Sequence, residues 1–476
     1  MPADDARAPT APSATPETLR RENDHLRDRI EQLERERDRL RRENERLRKD
    51  LEAARRAGYR QAAPFSKGAP TSAPKRPGRK AGPAYGRHVH RPVPTHVDER
   101  YDAPVRRTCP HCHGAVTHID VVSQYQEDLP PVRPLVREFQ IEVGHCAASG
   151  RRVQGRHPLQ TSDAVGAAAV QLGPQAISLA TVLHTQLGVP VGKVATLFDQ
   201  TFQLAVTPGG IIRALHRLAV RAEPTYEALI TAVRESSCVV PDETGWRENG
   251  HPRWLWVYAT PTTTVYRITP GRSFADATRV LPATYAGALT RDGWVAYRDY
   301  TDAGHQSCLR HLLRRCELLV TDHPHSRFAP QVQTLLQAAL AVRDRRAAGT
   351  ISDHGVAVAR GRLAHQLNRL LESPGRVPAV QRFARHLDRE FPYLFSFLYD
   401  PTVDATNWRA EQAIRPAVAI RKVCGGNRSA RGLQTQYVLA SLLRTAVQRQ
   451  VAIPATIARL LRSARPIVPK GFRVPP

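Results

Sequence analysis

Long apolar runs are missing from this chain. No stretch of its 476 residues approaches the ~18 apolar residues that a membrane helix needs, which excludes a helical membrane protein. The opening segment, MPADDARAPTAPSATPE, is polar and acidic and has no apolar core, so no secretory signal is expected. Cysteine is also sparse. Seven residues, at 109, 112, 146, 238, 308, 316 and 424, make no disulfide framework. A cytoplasmic protein with room for one metal site is expected. Acids are few: 44 against 70 Lys+Arg, a net charge of +26. That imbalance suggests a polyanionic partner, with nucleic acid the obvious one. Lysine is scarcer still, so 63 of the 70 basic residues are Arg. A GC-rich genome accounts for Arg over Lys, but not for the shortage of acids.

What is present is enough apolar residue, 41%, for at least one sizeable core, which excludes global disorder. The length suggests about three domains. Residues 17–56 carry the clearest period: Leu19, Leu26, Leu33, Leu40 and Leu47 fall every seven residues. With these at d, the a positions are Asn23, Ile30, Arg37, Asn44 and Leu51. Leu at d with Asn at a favours a parallel two-stranded coiled coil, so a leucine zipper and a homodimer or higher oligomer are expected, weakened by three polar a positions. Residues 57–100 are rich in Pro, Gly, Ala and Ser and read as a flexible basic linker. Lys75, Arg76, Arg79 and Lys80 within it suit a DNA minor groove or simply a solvated linker.

Residues 101–158 contain Cys109-Pro-His-Cys112, with Cys146 further on. Two thiolates converging from such a turn suit a tetrahedral Zn²⁺, and Cys146 is a third candidate ligand. A second CxxC is broken by Ser149, which leaves His113, His145 and His157 as alternatives for the fourth position. Residues 160–235 read as helical, with a second helix opening at Thr207-Pro208. The spacing suits a DNA-binding helix-turn-helix and equally an ordinary helix pair.

The pattern then changes to strands. Cys238 to Asp242 is a short strand ending in an acid. Trp254 to Ala259 and Thr263 to Ile268 are two more, with Asn249-Gly250 as a hairpin turn. A helix is expected from Ser273 to about Ala283. A fourth strand, Gly287 to Asp292, ends in an acid, and residues 305–400 read as mostly helical. A helix N-capped by Asp404 or Thr406 carries Glu411, and 433–476 form a basic helical element. Strand ends on one side of a sheet converge, so Asp242 and Asp292 can share a divalent ion, with Glu411 brought across by a packed helix. Phosphoryl transfer by two Mg²⁺ ions, or Mn²⁺ in their place, needs such a carboxylate set. Residues 401–476 hold 13 Lys+Arg against two acids, Asp404 and Glu411. Arg415, Arg421, Lys422, Arg428 and Arg431 are candidate phosphate contacts, the last four around a flexible Gly425-Gly426 loop. Glu243 alternates to the opposite face from Asp242 and is not expected to be a ligand. Trp246 and Trp294 are expected to pack rather than to stack on bases.

The stretches PDETGW (241–246), TRDGWVAY (290–297), HQSCLRHLLRRC (305–316) and TNWRAEQAIRPAVAIRKVCGGNRSARG (406–432) resemble motifs of insertion sequence 66 family transposases. The resemblance covers most of the chain, including the zipper and the CPxC region with YQEDLPP (125–131). It implies a multidomain α/β protein: zipper, small zinc-binding module, helical DNA-binding region, and a ribonuclease-H-like catalytic core over 236–432. Asp242, Asp292 and Glu411 match the family's catalytic acids. The implied activity is cutting of element ends and joining of 3′-hydroxyls to target DNA. The 118 residues between Asp292 and Glu411 imply a helical insertion at 305–400. Cys308 and His311 match a CxxH-like element, read here as packing at the edge of the site. Double-stranded DNA is the implied partner, with small accessory proteins of the same element and no membrane. Two other readings stand beside it: a DNA-binding regulator or inactive remnant with zipper and helix-turn-helix, and a nuclease that cuts without joining.

Overall fold

The computed structural model describes residues 92–473 except 118–119, 131 and 166–170, together with residues 17, 25–26, 29–30, 32–41, 43–44 and 47. The chain divides into two units, residues 1–92 and 93–476. In the first, the described positions from 17 to 47 are helical. Leu26, Ile30, Leu33, Leu40 and Leu47 all lie at the surface of the single chain. Leu19, Asn23 and Leu51 of the expected zipper, and Lys75, Arg76, Arg79 and Lys80 of the linker, fall outside the described residues.

The second unit begins with extended chain and a small antiparallel pair, β1 (Val143–His145) and β2 (Arg152–Gln154). Helices follow: α1 (Pro174–Thr181), which runs on into a π-helical turn at Val182–Gln186, α2 (Val191–Phe202) and α3 (Pro208–Arg234). Helix α3 starts where Thr207-Pro208 predicts. The Thr207 hydroxyl accepts from Gly210 N at 3.1 Å, and Pro208 occupies the first turn, where no N–H is needed. The apolar face of α3, including Ile211, Leu215, Leu218, Tyr226, Leu229 and Val233, is buried.

Three antiparallel strands come next: β3 (Cys238–Glu248), β4 (His251–Ala259) and β5 (Thr264–Thr269). Asn249 and Gly250 make the hairpin turn between the first two, with φ of 47° and 82°, the left-handed pair that such a turn requires. Helix α4 (Phe274–Ala277) is short. It stops well before Ala283, because Val280 and Leu281 turn into the core and Pro282 cannot extend a helix. Strand β6 (Ala288–Arg291), a 3₁₀ turn at Val295–Asp299 and β7 (Gly304–Ser307) complete the sheet. Its order is β5-β4-β3-β6-β7, with β6 parallel to β3 and β7 parallel to β6. Strand β7 was expected as helix. Its four residues carry no alternation, and only pairing with β6 makes them a strand.

From β7 the chain enters α5 (Leu309–Asp322), α6 (Phe328–Ala347), α7 (Asp353–Glu372), α8 (Pro378–Glu390) and, after a 3₁₀ turn, α9 (Ser396–Tyr399). Leu312, Val332, Leu336, Leu367, Phe383 and Leu387 give these helices a core of their own, so the insertion is a packed helical layer. Helices α10 (Trp408–Cys424), α11 (Ala430–Gln448) and α12 (Ile453–Arg462) return to the sheet. One apolar core runs from Ile177 through the sheet to Phe472. Helices α3 and α11 bury their faces in that core with the sheet. No helix among the described residues is long and apolar enough to cross a membrane.

Candidate active site

Asp242 does not end its strand, as expected, but lies at the fifth residue of eleven. The hairpin pairing with β4 holds β3 extended from Val240 to Glu248. What ends beside Asp242 is β6. Strands β3 and β6 pair in parallel with Cys238 opposite Ala288 and Val239 opposite Leu289. Continuing that offset sets Asp242 opposite Asp292, the residue immediately after β6. Adjacent strands are about 4.8 Å apart, so both carboxylates start from neighbouring backbones on one face. Glu411 lies in the first turn of α10, where the helix dipole favours an acid.

Several contacts seat α10 on that face. Tyr266 Oη donates to Ala413 O at 2.5 Å. Trp246, buried on the Asp242 face of β3, donates through Nε1 to Asn427 Oδ1 at 2.8 Å. Cys308, before α5, donates through Sγ to Asn407 Oδ1 (3.1 Å) and accepts from Asn407 N (3.2 Å). This is packing at the edge of the site, as expected for Cys308; His311 Nδ1 is buried there without a partner. The helix starts at Trp408 rather than being capped by Asp404 or Thr406, and Asn407 takes the cap position with its side chain spent on Cys308. Thr290 Oγ1 donates to Asp404 O at 2.7 Å, tying β6 to the approach of α10.

The Asp242 carboxyl senses the charges around it. Burial, then the charges of Glu243, Asp292 and Glu411, push the Asp242 carboxyl up to about 7, although Glu243 N donates to its Oδ1 at 2.9 Å. Glu243 itself points to the opposite face, as strand alternation predicts. There it is buried, ion-paired with Arg272 (Nε to Oε1 2.6 Å) and bonded by Tyr297 Oη. Arg272 lies between two indoles, 3.6 Å from the Trp294 ring centre and 4.8 Å from that of Trp254. Trp294 Nε1 donates to Arg272 O (3.3 Å), and Trp294 N donates to Asp292 Oδ1 at 2.9 Å. A continuous chain thus runs from Glu243 through Arg272 and Trp294 to the Asp292 carboxylate.

A second buried network stands just before Asp292. Arg291, 1% exposed, pairs with Glu390 of α8 at 2.9 Å and donates to His305 Nδ1 (3.2 Å) and Asp292 O (3.1 Å). Ser307 (2.5 Å) and Arg298 (2.9 Å) also bond Glu390. Burial raises the Glu390 carboxyl, but the Ser307 bond and the two guanidinium groups outweigh it, and the net shift is downward. This network fastens the helical insertion to strand β6, which ends just before Asp292. Arg272 and Glu390 were not foreseen. Arg272 sits in a loop with no motif around it, and Glu390 looks like any polar residue of an amphipathic helix.

Of the expected phosphate contacts, Arg415, Lys422, Arg428 and Arg431 are exposed. Arg421 is committed inside the protein, donating to Thr244 Oγ1 (3.0 Å) and Gly245 O. The Gly425-Gly426 segment is not the free loop expected. Asn427 N bonds Arg247 O (3.0 Å) and Asn249 N bonds Asn427 O (2.8 Å). A Cβ at Gly426 would meet Arg247 O at 2.4 Å, so glycine lets this segment dock on the β3–β4 hairpin.

The cysteine region repeats one turn twice. Cys109 N donates to Gly114 O (2.8 Å) and His113 N to Cys109 O (3.0 Å); Cys146 N donates to Arg151 O (2.9 Å) and Gly150 N to Cys146 O (2.8 Å). His113 and Gly150 take the same left-handed position, with φ of 58° and 63°. In this register Ser149 occupies the place of Cys112. Backbone N–H groups of His111 and Cys112 lower the Cys109 thiol, and the Ser149 hydroxyl heads the groups that lower Cys146. His157 Nδ1 is taken by Leu159 N at 3.2 Å. Among the described residues, no three His, Cys, Asp or Glu stand at ligand spacing for a metal ion.

In a comparison with protein families, residues 169–435 match the transposase IS66 family. No curated protein matches the chain.

Proposed function

The chain belongs to the IS66 transposase family, and from that premise we propose that it cuts the ends of an insertion sequence and joins the 3′-hydroxyls to target DNA, with Asp242, Asp292 and Glu411 as its catalytic acids. The observation that carries this reading is the parallel register of β3 and β6, which aligns Asp242 with Asp292, together with the electrostatic reach of Asp292 and Glu411 to Asp242. The sheet order, three antiparallel strands flanked by two parallel ones, supports a ribonuclease-H-like core.

The chemistry of the donor set suits a hard divalent cation, but without one Asp242, Asp292 and Glu411 do not stand at ligand spacing. An Asp242 carboxylate whose proton affinity is raised by the charges of Asp292 and Glu411 is relieved by a positive ion, and oxygen ligands suit Mg²⁺ or Mn²⁺. Without that ion their repulsion opposes the close spacing that ligation needs. Asp242, Asp292 and Glu411 would hold it, and it would supply charge neutralisation at the attacked phosphate and activation of the attacking oxygen. The protein's own part is positioning. Trp294 N fixes one Asp292 oxygen, Glu243 N fixes one Asp242 oxygen, and Asn407, locked to Cys308, sets the first turn of α10 that carries Glu411. Exposed Arg415, Lys422, Arg428 and Arg431 give the DNA backbone a positive bed that orients it without reading its sequence.

Two further parts of the reading concern the rest of the chain. Zinc binding by Cys109, Cys112 and Cys146 rests on the repeated turns alone: Ser149 stands where a fourth thiolate would, and no three ligands stand at metal spacing among the described residues. The heptad leucines support dimerisation through residues 17–56. The test of the central claim is a cleavage and strand-transfer assay on duplex DNA carrying the end of the flanking element, with Mg²⁺. Wild-type protein gives cut and joined products. Asp242→Asn, Asp292→Asn and Glu411→Gln give none while still binding DNA. Full strand transfer by any of the three would remove that residue from the site. DNA binding without cutting by the wild type would favour the regulator reading.

A further inference from the structure

We propose that a cavity between the helical insertion and the start of α10 is a pocket for one unstacked nucleotide of the bound DNA strand, its base laid on Trp408 and its phosphate held by Arg343 and Arg346. This rests on the reading of the chain as a DNA-cutting enzyme. The cavity measures about 510 Å³, and its walls include Arg343, Arg346, Phe397, Asp404, Trp408 and Arg409. That volume lies within the usual range for small organic ligands.

The lining has two characters that only a nucleotide needs together. One is aromatic. Trp408 is 60% exposed although it opens a helix whose next turn is buried at Ala410 and Ala413. With the Gln412 amide oxygen turned toward it, its Nε1 donates at 3.2 Å, which holds the indole plane at the cavity wall. The other is cationic. Arg346 pairs with Asp353 (2.7 Å) and donates to Leu398 O (3.3 Å), Arg343 pairs with Asp344 (2.7 Å) and Arg409 with Asp404 (2.9 Å). Asp344 and Asp353 face solvent, 66% and 83% exposed, so water screens them. Asp404 is taken by Arg409, so Arg343 and Arg346, whose acid partners are exposed, are the two guanidinium groups a phosphate can draw to itself. An apolar peptide would have no use for that charge, and a lone phosphate none for the indole.

The position ties the cavity to the chemistry. Trp408 and Glu411 are separated by three residues on α10, hence on neighbouring parts of one side, about 4.5 Å apart along the axis. Asp404, in the cavity wall, accepts from Thr290 two residues before Asp292. A nucleotide lodged here would lie next to the phosphate that Asp242, Asp292 and Glu411 address. Drawing a base out of the stack is least costly at a strand end or nick, which is what cutting produces. Stacking on an aromatic face is worth roughly 5- to 150-fold in affinity per base.

The test uses full-length Asp242→Asn protein, so that the DNA stays uncut, and element-end duplexes carrying 5-iododeoxyuridine at successive positions. After irradiation, the cross-linked residue is identified by mass spectrometry. The expected result is a cross-link to Trp408 from one or two adjacent positions beside the cleavable phosphate. It is lost in Trp408→Ala, kept in Trp408→Phe, and weakened at least about fivefold in Arg343→Ala/Arg346→Ala. Cross-links confined to other residues, or unchanged in Trp408→Ala, overturn the pocket. Cutting by the wild type is scored separately. Cutting without a Trp408 cross-link overturns the pocket and leaves the proposed function; a Trp408 cross-link without cutting keeps the pocket and overturns the enzymatic reading.

Discussion

Replacing Asp242 by Asn should make the metal-free protein more stable at neutral and alkaline pH while ending DNA cutting. The Asp242 carboxyl is pushed from 3.8 to about 7 by burial and by the charges of Glu243, Asp292 and Glu411. In the unfolded chain it would titrate near the lower value. Between these limits the folded state keeps a proton that the unfolded state has released. The stability gained from that proton is therefore full below about pH 4 and is lost as the pH rises through about 7. Above that, the wild type carries the whole cost of a charged, partly buried carboxylate among its like. The full shift of about three pH units at 1.36 kcal/mol each sets an upper limit of ~4 kcal/mol, and solvent contact and relaxation should reduce it to roughly 2–4 kcal/mol. Asn keeps the size and an oxygen for Glu243 N, but no charge. Urea denaturation of both proteins with a chelator, at pH 5 and pH 8, measures the gap. About a third of it should already be present at pH 5, and the gap should widen by roughly 1–2.5 kcal/mol between pH 5 and pH 8. Added Mg²⁺ should narrow it by stabilising the wild type. A gap independent of pH would refute the argument that the Asp242 charge is destabilised by its neighbours.

Other expectations follow from other contacts. Glu390→Ala leaves Arg291 buried without its carboxylate and should cost about 3–5 kcal/mol in a denaturant titration; a loss under about 1 kcal/mol would show that the pair is not what fastens the insertion. The double change Glu243→Gln/Arg272→Met removes both charges of the pair at once and should slow cutting by about tenfold or more, a barrier of about 1.4 kcal/mol, with DNA binding within about twofold; Arg272→Lys should restore only part, since Lys neither pairs bidentately nor stacks flat on Trp294. Unimpaired cutting by the double variant would disconnect that chain from Asp292. Ser149→Cys should make zinc harder to strip with a chelator, read as metal content after dialysis, and a variant that takes up no zinc would dismiss the site. Deleting residues 17–56 should lower the mass seen by light scattering, whereas an unchanged mass would take the zipper out of assembly.

What the sequence determined by itself was local. The heptad leucines, the Thr207-Pro208 helix start, the Asn249-Gly250 turn and the Thr- and aromatic-rich strands are written in neighbouring residues, and the structure forms the helix start, the turn and those strands at the places read. The alternation of β3 separated Asp242 from Glu243 before any contact was known. The three acids could be picked out because the runs around them, PDETGW, TRDGWVAY and TNWRAEQAIRP, resemble motifs of the transposase family. Tertiary structure decided what depends on partners far away in the chain. Strand β7 exists only because β6 pairs with it. Asp242 sits within its strand because β4 holds the strand extended beyond it. Arg421 was one basic residue among several until Thr244 and Gly245 claimed it, and Gly425-Gly426 read as free until it docked on the hairpin. Glu390, 97 residues after Asp292's neighbouring glycine at 293, joins the site only through Arg291. A buried charge and its partner leave no periodicity in the chain. Their pairing is set by which surfaces the fold removes from water, and that is settled only when the sheet and the helical layer close on each other.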